Sequence, residues 1–193
     1  MLLARGVSGG VATPTSDYWT EIVGLPAARK YQVAGVLSNK LYAIGGDSGS
    51  SPYLTTNVYA FDGTAWTEVA GLPVAHVYAA ADTLGNKIYA MGGSFSTTNV
   101  FAFDGTTWTE VAGMPGGKVA FAAATLSNKL YAIGGSPGNT NVFAFDGTTW
   151  TEVASLPAGR GYQTTGVLSN RLYMVAGSDA ADVVTTNVYE YTP

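Results

Sequence analysis

A basic side chain recurs three residues after each of four Leu-Pro or Met-Pro pairs in the sequence. The four basic residues are Arg29, His76, Lys118 and Arg160. Like charges that are held together attract a counter-charge. If the fold gathers these four side chains, they form a candidate site for an anion or an acidic peptide.

Residues that commonly carry catalysis are scarce. The 193 residues include no cysteine and one histidine, which leaves no thiol nucleophile, no thiolate metal site and no cluster of histidine ligands. A serine triad would have to use His76, and the sequence has no nucleophile elbow. We therefore expect a protein that is not an enzyme and needs no cofactor or metal. A sugar hydrolase with paired carboxylates is the less favoured alternative.

The amino-acid composition restricts the kinds of partner that we expect. Only 11% of the residues are charged, and the net charge is −4, which argues against nucleic acid as a partner because phosphates require a basic surface. No apolar run approaches the ~20 residues of a membrane helix, and the N-terminus is too weakly apolar for a signal peptide. The compartment stays open, with a virion or cell surface as one option and the cytoplasm as the other.

Four near-copies of one unit position these residues. Tryptophans at 19, 66, 108 and 150 are spaced 47, 42 and 42 residues apart, and each is followed by Thr-Glu and an apolar pair. A Leu/Ile-Tyr-Ala-Ile/Met-Gly-Gly segment recurs at 41–46, 88–93 and 130–135, with a degraded copy at 172–177. A fixed period of this length is typical of stacked repeats.

Each unit is predicted to contain four short strands, named a to d. In the second unit they are Tyr78–Asp82, Lys87–Met91, Asn99–Phe103 and Thr107–Val111. Strand b is apolar at successive positions, which indicates that both of its faces are covered. Asp-Gly pairs between strands c and d favour reverse turns, and they lack the spacing of a calcium loop.

The Gly-Gly after strand b, the aromatic residues and Asp of strand c and the Trp of strand d resemble the kelch repeat. The resemblance covers residues 15–193 and implies an all-β, kelch-type β-propeller with four blades of four antiparallel strands. Kelch repeats commonly carry Arg near the positions of the basic set, where it binds backbone carbonyls, so a structural role is the alternative to anion binding. Residues 1–14 are expected to be a flexible N-terminal arm.

The incomplete units at the two ends predict how the ring closes. The sequence starts with a d-type strand at 17–21 and finishes with a c-type strand at 187–191, and pairing the two would complete a blade and remove an open edge. The pairing could occur within one chain, which gives four blades, or between two chains, which gives a homodimeric ring of eight blades.

One face of the predicted ring is uniform between units and the other varies. The variable b–c loops are 47–54, 94–96, 136–138 and 178–184. Variation on a uniform scaffold is typical of a recognition surface. The candidate binding residues of these loops are Tyr53, Phe95, Asp47 and Asp179. The sequence thus predicts a protein- or glycan-binding module, with a structural component of a phage virion or a bacterial surface as the alternative.

Overall fold

The computed structural model describes residues 19–193, and its regular elements are β-strands and one short 3₁₀ turn at Ser94–Ser96. The strands form four antiparallel sheets, called blades 1 to 4 in chain order. Blade 1 contains β1 (Val33–Leu37), β2 (Lys40–Ile44), β3 (Val58–Phe61) and β4 (Trp66–Val69). Blade 2 contains β5 (Ala80–Leu84), β6 (Lys87–Met91), β7 (Val100–Phe103) and β8 (Trp108–Glu110). Blade 3 contains β9 (Ala122–Leu126), β10 (Lys129–Ile133), β11 (Val142–Phe145) and β12 (Trp150–Val153). Blade 4 contains β13 (Thr164–Leu168), β14 (Arg171–Val175) and β15 (Val188–Tyr191).

The blades stack face to face and bury one apolar cluster at each interface. Blades 1 and 2, blades 2 and 3, and blades 3 and 4 each share such a cluster. In the first, Tyr42 packs edge-on against Phe103, with ring centroids 5.3 Å apart. Tyr89 and Phe145 repeat this contact between the next two blades. A strand such as β6 is therefore covered on both faces, which explains its continuous apolar sequence. The all-β propeller architecture predicted from the repeats is confirmed.

Threonine hydroxyl groups form hydrogen bonds between the inner strands of neighbouring blades. Thr83 Oγ1 donates to the carbonyl of Val36, and Thr125 Oγ1 donates to the carbonyl of Thr83, both at 2.9 Å. Thr165 Oγ1 makes a similar bond to Ala123. These bonds fix the inner strands of adjacent blades relative to one another.

The Asp-Gly pairs form the predicted c–d turns. We call Asp62, Asp104 and Asp146 the turn aspartates. In each turn one carboxylate oxygen accepts hydrogen bonds from the amides of the residues two and three positions later, as Asp104 Oδ1 does from the amides of Thr106 and Thr107 at 2.8 and 2.9 Å. The following glycine has φ near 103° in two turns and 101° in the third, which only glycine adopts without strain. These bonds lower the pKa of all three carboxyl groups, that of Asp62 to about 2.

Strand a begins two residues later than predicted. The prediction placed it at 78–82, whereas β5 spans Ala80–Leu84. Tyr78 has φ 53°, a left-handed conformation that no strand contains, and it delays the start of the strand. The predicted strand b at 87–91 coincides with β6, and the predicted c and d strands contain β7 and β8.

Blade 4 has three strands among residues 19–193. Of the predicted N-terminal strand at 17–21, residues 17 and 18 lie outside the described part, and residues 19–21 are not in a strand. The outer edge of β15 is thus unpaired within the described residues, and no strand of blade 1 contacts a strand of blade 4. The described blades form an open arc, and closure by the N-terminal strand stays a prediction. The predicted arm at 1–14 lies outside the described residues.

No helix within residues 19–193 has the length and hydropathy needed to cross a membrane.

Candidate functional site

The b–c loops and the d–a loops lie on the same side of every blade, because antiparallel strands alternate in direction. We call this side the loop face. It carries all eight candidate residues predicted from the sequence. The opposite side carries the short a–b and c–d turns.

The four basic side chains are directed into the blades rather than outward. Arg29 donates from Nη1 to the carbonyls of Gly45 and Asn57 at 3.0 and 3.1 Å, and its guanidinium lies 4.8 Å from the ring centroid of Tyr59. Lys118 makes the equivalent contacts in blade 3, where its Nζ donates to the carbonyls of Gly134 and Asn141 at 2.6 and 2.9 Å. Each of these side chains thus clips the end of strand b to the start of strand c.

The other two basic side chains also pack on an aromatic ring of strand c. Arg160 lies over the ring of Tyr189 and donates to Asn187 Oδ1 at 2.9 Å. His76 packs edge-on against Phe101, with centroids 5.5 Å apart. Burial lowers the pKa of His76 and lowers that of Lys118 to about 8. Buried groups whose donors are directed at carbonyls are poorly placed to attract an external anion, so the geometry favours the structural role, and anion binding by this set stays a prediction.

The loop candidates divide into two pairs. Asp47 and Asp179 are used within their own loops: Asp47 Oδ1 accepts from the amide of Gly49 at 2.7 Å, and Asp179 Oδ1 accepts from the amides of Ala181 and Val183. By contrast, Tyr53 is 61% exposed and Phe95 is 93% exposed. The two aromatic side chains therefore offer free apolar surface at the periphery of the loop face.

Three tyrosines that sequence reasoning missed form a cluster where the inner strands begin. Tyr31, Tyr78 and Tyr162 each stand two residues after a basic residue of the set, and we call them the tyrosine cluster. The ring centroids of Tyr31 and Tyr78 are 4.3 Å apart, and those of Tyr78 and Tyr162 are 6.4 Å apart at an interplanar angle of 90°. The constant offset of two from the basic residues was the signal in the sequence that could have found them.

The backbone explains why these positions converge. The three tyrosines and their blade 3 counterpart Ala120 have φ between 49° and 57°. The amide of Ala120 donates to the carbonyl of Tyr78 at 2.9 Å, and the amide of Tyr162 donates to the carbonyl of Ala120 at 2.8 Å. The left-handed conformation thus links the blades through their main chains, and it costs of order 1 kcal/mol or more at each residue that is not glycine.

The surroundings of the cluster are polar at one edge and open at the other. Lys30 Nζ lies 5.3 Å from the ring centroid of Tyr31 and 3.5 Å from Asp47 Oδ2. The hydrogen bond with Tyr31 is the main cause that raises the pKa of Tyr78 to about 12, so the Tyr78 phenol is neutral at ordinary pH. Tyr31 is 45% exposed and Tyr162 is 60% exposed. A cleft of about 390 Å³ adjoins Tyr162.

The cluster can therefore present aromatic faces, phenol hydroxyls, one carboxylate and one ammonium group to a ligand. Within residues 19–193 no three side chains of the types His, Cys, Asp and Glu come close enough together to hold a metal ion. Glu68, Glu110 and Glu152 of strand d each accept a hydrogen bond from the asparagine that precedes strand c in the same blade, as Glu110 does from Asn99 at 2.7 Å. The described residues of this site can make aromatic contacts and hydrogen bonds with a ligand.

Comparison with known proteins agrees with this architecture. Residues 75–115, which run from the d–a loop before blade 2 through that blade, match the model of the Kelch motif. A solved structure titled "Structure of YjhT" is similar to this chain with a TM-score of 0.73 at 16% identity, covering 88% of this chain and 68% of that chain. No curated protein matches the sequence.

The structural likeness at 16% identity concerns the fold alone. In all, 187 chains of solved structures match, so the shape is widely shared and does not select a function. The Kelch motif at residues 75–115 and the four stacked antiparallel blades together support a kelch-type β-propeller fold.

Proposed function

We propose that the chain is a non-catalytic binding module that holds a glycan against the tyrosine cluster on its loop face. The observation that carries the proposal is the choice of side chain at three strained positions. Glycine would adopt this left-handed backbone at little cost, and Ala120 in blade 3 makes the same main-chain bonds with a methyl group. The three tyrosine rings, of which those of Tyr31 and Tyr162 are exposed, are not needed for these main-chain bonds, which points to a role for the rings.

The chemistry of the cluster suits a sugar. The negative face of an aromatic ring attracts the polarised C–H groups on one face of a pyranose, and the geometry of Tyr31, Tyr78 and Tyr162 offers rings at several angles. Phenol hydroxyls, Asp47 and Lys30 stand at the edge, where sugar hydroxyls need donors and acceptors. Tyrosine also loses little conformational entropy when it is fixed by a ligand.

A non-catalytic role is supported by the position of His76. Its side chain is 4% exposed and packs on Phe101, so it is poorly placed to exchange protons with a bound substrate. The turn aspartates are engaged by their own turns on the opposite side of the molecule.

The experiment is a screen of immobilised glycans followed by titration calorimetry with a retained oligosaccharide. Each good aromatic contact contributes of order 1 kcal/mol, so Tyr162→Ala should weaken binding about 5-fold, and the pair Tyr31→Ala with Tyr162→Ala about 20-fold or more. Phe95→Ala removes an aromatic ring that is even more exposed but lies outside the cluster, and it serves as the control. Equal losses in the control and the tyrosine variants would place the site elsewhere. Retention of a protein from a mixture, with no glycan retained, would identify the other ligand class that the sequence predicts.

A structural component of an assembly is the second candidate. The unpaired edge of β15 and the apolar faces at both ends of the arc favour it. Particles or fibres visible by electron microscopy in purified protein would support this role, and a uniformly monodisperse sample would argue against it.

A further inference from the structure

The two ends of the blade arc expose faces that the inner interfaces bury. Leu168 of blade 4 is 66% exposed, and its counterparts in blades 1, 2 and 3 are at most 6% exposed. Val188 is 57% exposed, and its counterparts are at most 5% exposed. These counterparts are Leu37, Leu84 and Leu126 for the leucine, and Val58, Val100 and Val142 for the valine. Blade 4 therefore ends in a face whose shape and chemistry are those of a blade interface.

Blade 1 exposes the complementary face at the other end. Leu41 is 40% exposed, whereas Ile88, Leu130 and Leu172 at the same place in the later blades are at most 3% exposed. The sequence of contacts from blade 1 to blade 4 is thus one heterologous interface made three times, with one half left over at each end. Such interfaces join copies head to tail.

The slot for a fourth strand in blade 4 is already formed. A cleft of about 260 Å³ lies between blades 3 and 4, bordered by Ala154, Leu156, Val188 and Tyr191. In each of the first three blades the same place is filled by strand d. There the tryptophan stacks on the last aromatic residue of strand c, as Trp108 does on Phe103 with centroids 4.8 Å apart.

The residues around this cleft match a missing strand d contact by contact. Trp108 Nε1 donates to the carbonyl of Ala70 and Trp150 Nε1 donates to that of Ala112, each in the preceding blade. The corresponding acceptor for blade 4 is the carbonyl of Ala154. Tyr191 stands in for Phe103, and Asn187 stands in for the asparagines that bond the glutamates of strand d.

Residues 19–23 have the sequence of that strand. Trp19-Thr20-Glu21-Ile22-Val23 aligns with Trp66–Ala70 of blade 1, and Trp19 is fully exposed. The carbonyl of Val23 accepts a hydrogen bond from Trp66 Nε1 at 3.2 Å, the same bond that the end of each strand d receives from the following blade. This segment therefore already lies where strand d of a blade preceding blade 1 would end.

We propose that Trp19–Val23 of one copy inserts as the fourth strand of blade 4 of a second copy, so that chains associate head to tail. A second copy is the occupant because Val23 is held against blade 1, and no strand of blade 1 contacts blade 4 of the same chain within residues 19–193. In the completed blade the Trp19 ring stacks on Tyr191, the Trp19 indole donates to Ala154, and Glu21 bonds Asn187.

One residue marks this joint as different from the internal ones. Glu190 stands where blades 1, 2 and 3 have alanine, and its carboxylate binds Arg171 and the hydroxyl of Tyr173, both at 2.7 Å. The charges of Arg171 and Glu190 therefore compensate each other within blade 4. This ion pair adds a polar, salt-sensitive element to the otherwise apolar face between copies, which suits a contact between chains that must also remain soluble apart.

The first test is the mass of the protein by sedimentation equilibrium at 50 μM, without any glycan. We expect at least twice the 19.9 kDa of one chain. A mass of one chain at this concentration overturns the proposal, whatever the outcome of the glycan screen. A glycan-binding monomer would sustain the proposed function and reject this joint.

Two variants should abolish association between copies while each chain stays folded. Trp19→Ala removes the inserted side chain, which is fully exposed in the single chain, and should give a folded monomer. Val188→Arg places a charge on the receiving face and should give the same result. Neither should associate alone, but an equimolar mixture should form a complex of two chains, because it contains one intact insert and one intact receiving face. Phe95→Ala, the control, should associate like the unmodified protein. A Trp19→Ala variant that keeps the unmodified mass would overturn the proposal, even if Val188→Arg failed to fold.

Discussion

Replacing Trp108 by alanine measures what one strand d tryptophan contributes to a blade interface. The Trp108 ring stacks on Phe103, and the side chain packs against the cluster shared by blades 1 and 2. Trp108 is partly buried there, and removing most of the ~200 Å² of a tryptophan side chain from water is worth about 3 kcal/mol at ~25 cal/mol per Å². The lost indole bond to Ala70 adds about 1 kcal/mol.

Trp108→Ala should therefore lower the free energy of unfolding by about 4 kcal/mol, which corresponds to a fall in Tm of roughly 8–16 °C for a domain of this size. The assay is thermal unfolding followed by circular dichroism at 2 μM protein. Phe95→Ala is the matched control, because this aromatic side chain is 93% exposed and its loss should change Tm by less than about 1 °C. Equal shifts in the two variants would refute the assignment of Trp108 to an interface between blades.

Three further predictions concern the loops and turns. Lys118→Met leaves the carbonyls of Gly134 and Asn141 without this donor and should lower the free energy of unfolding in urea by about 1–3 kcal/mol, while glycan affinity stays unchanged. A weakened affinity in a stable variant would indicate that Lys118 contacts the ligand. The turn aspartates have pKa values below the ~3.9 of an unfolded chain, so their contribution to stability is complete above that pH and is lost as the pH falls towards 2 and below. Replacing all three by asparagine should flatten the plot of Tm against pH in this range, and an unchanged slope would contradict the cause given. Gly117→Ala would place its Cβ 1.6 Å from the carbonyl oxygen of Ser96 and should strongly destabilise blade 2, whereas Gly116→Ala meets nothing closer than 3.8 Å and should be tolerated.

Most of the fold could be predicted from the sequence repeat. The spacing of the tryptophans, the Gly-Gly segments and the Asp-Gly pairs predicted four blades, and the b strands were located within the blade because their apolar sequence needs cover on both faces. The start of strand a was predicted two residues early, since the hydrophobic pattern at Tyr78 does not reveal a left-handed φ. That conformation arises from bonds between blades, which lie outside any local pattern.

The sequence predicted candidate binding residues in the loops of one face, and it missed the three tyrosines at the starts of the inner strands. Exposure of Tyr53 and Phe95 follows from their place in variable loops. The basic set was expected at the mouth of a channel, but long side chains such as those of Arg29 and Lys118 reach back over an aromatic ring of strand c to its carbonyls. What reaches the surface instead is the residue two positions later, and only the geometry of the inner strands brings the three tyrosines together.

Hydrogen–deuterium exchange with and without a saturating oligosaccharide is the most direct test of a glycan site on the loop face. Protection should appear in the peptides that contain Tyr31, Tyr78 and Tyr162, at the ends of three d–a loops that lie 47 and 84 residues apart in sequence. The a–b turns at Ser38-Asn39 and Ser127-Asn128, on the opposite side, should exchange at unchanged rates. Protection of those turns, with none at the tyrosines, would contradict a binding site at the tyrosine cluster.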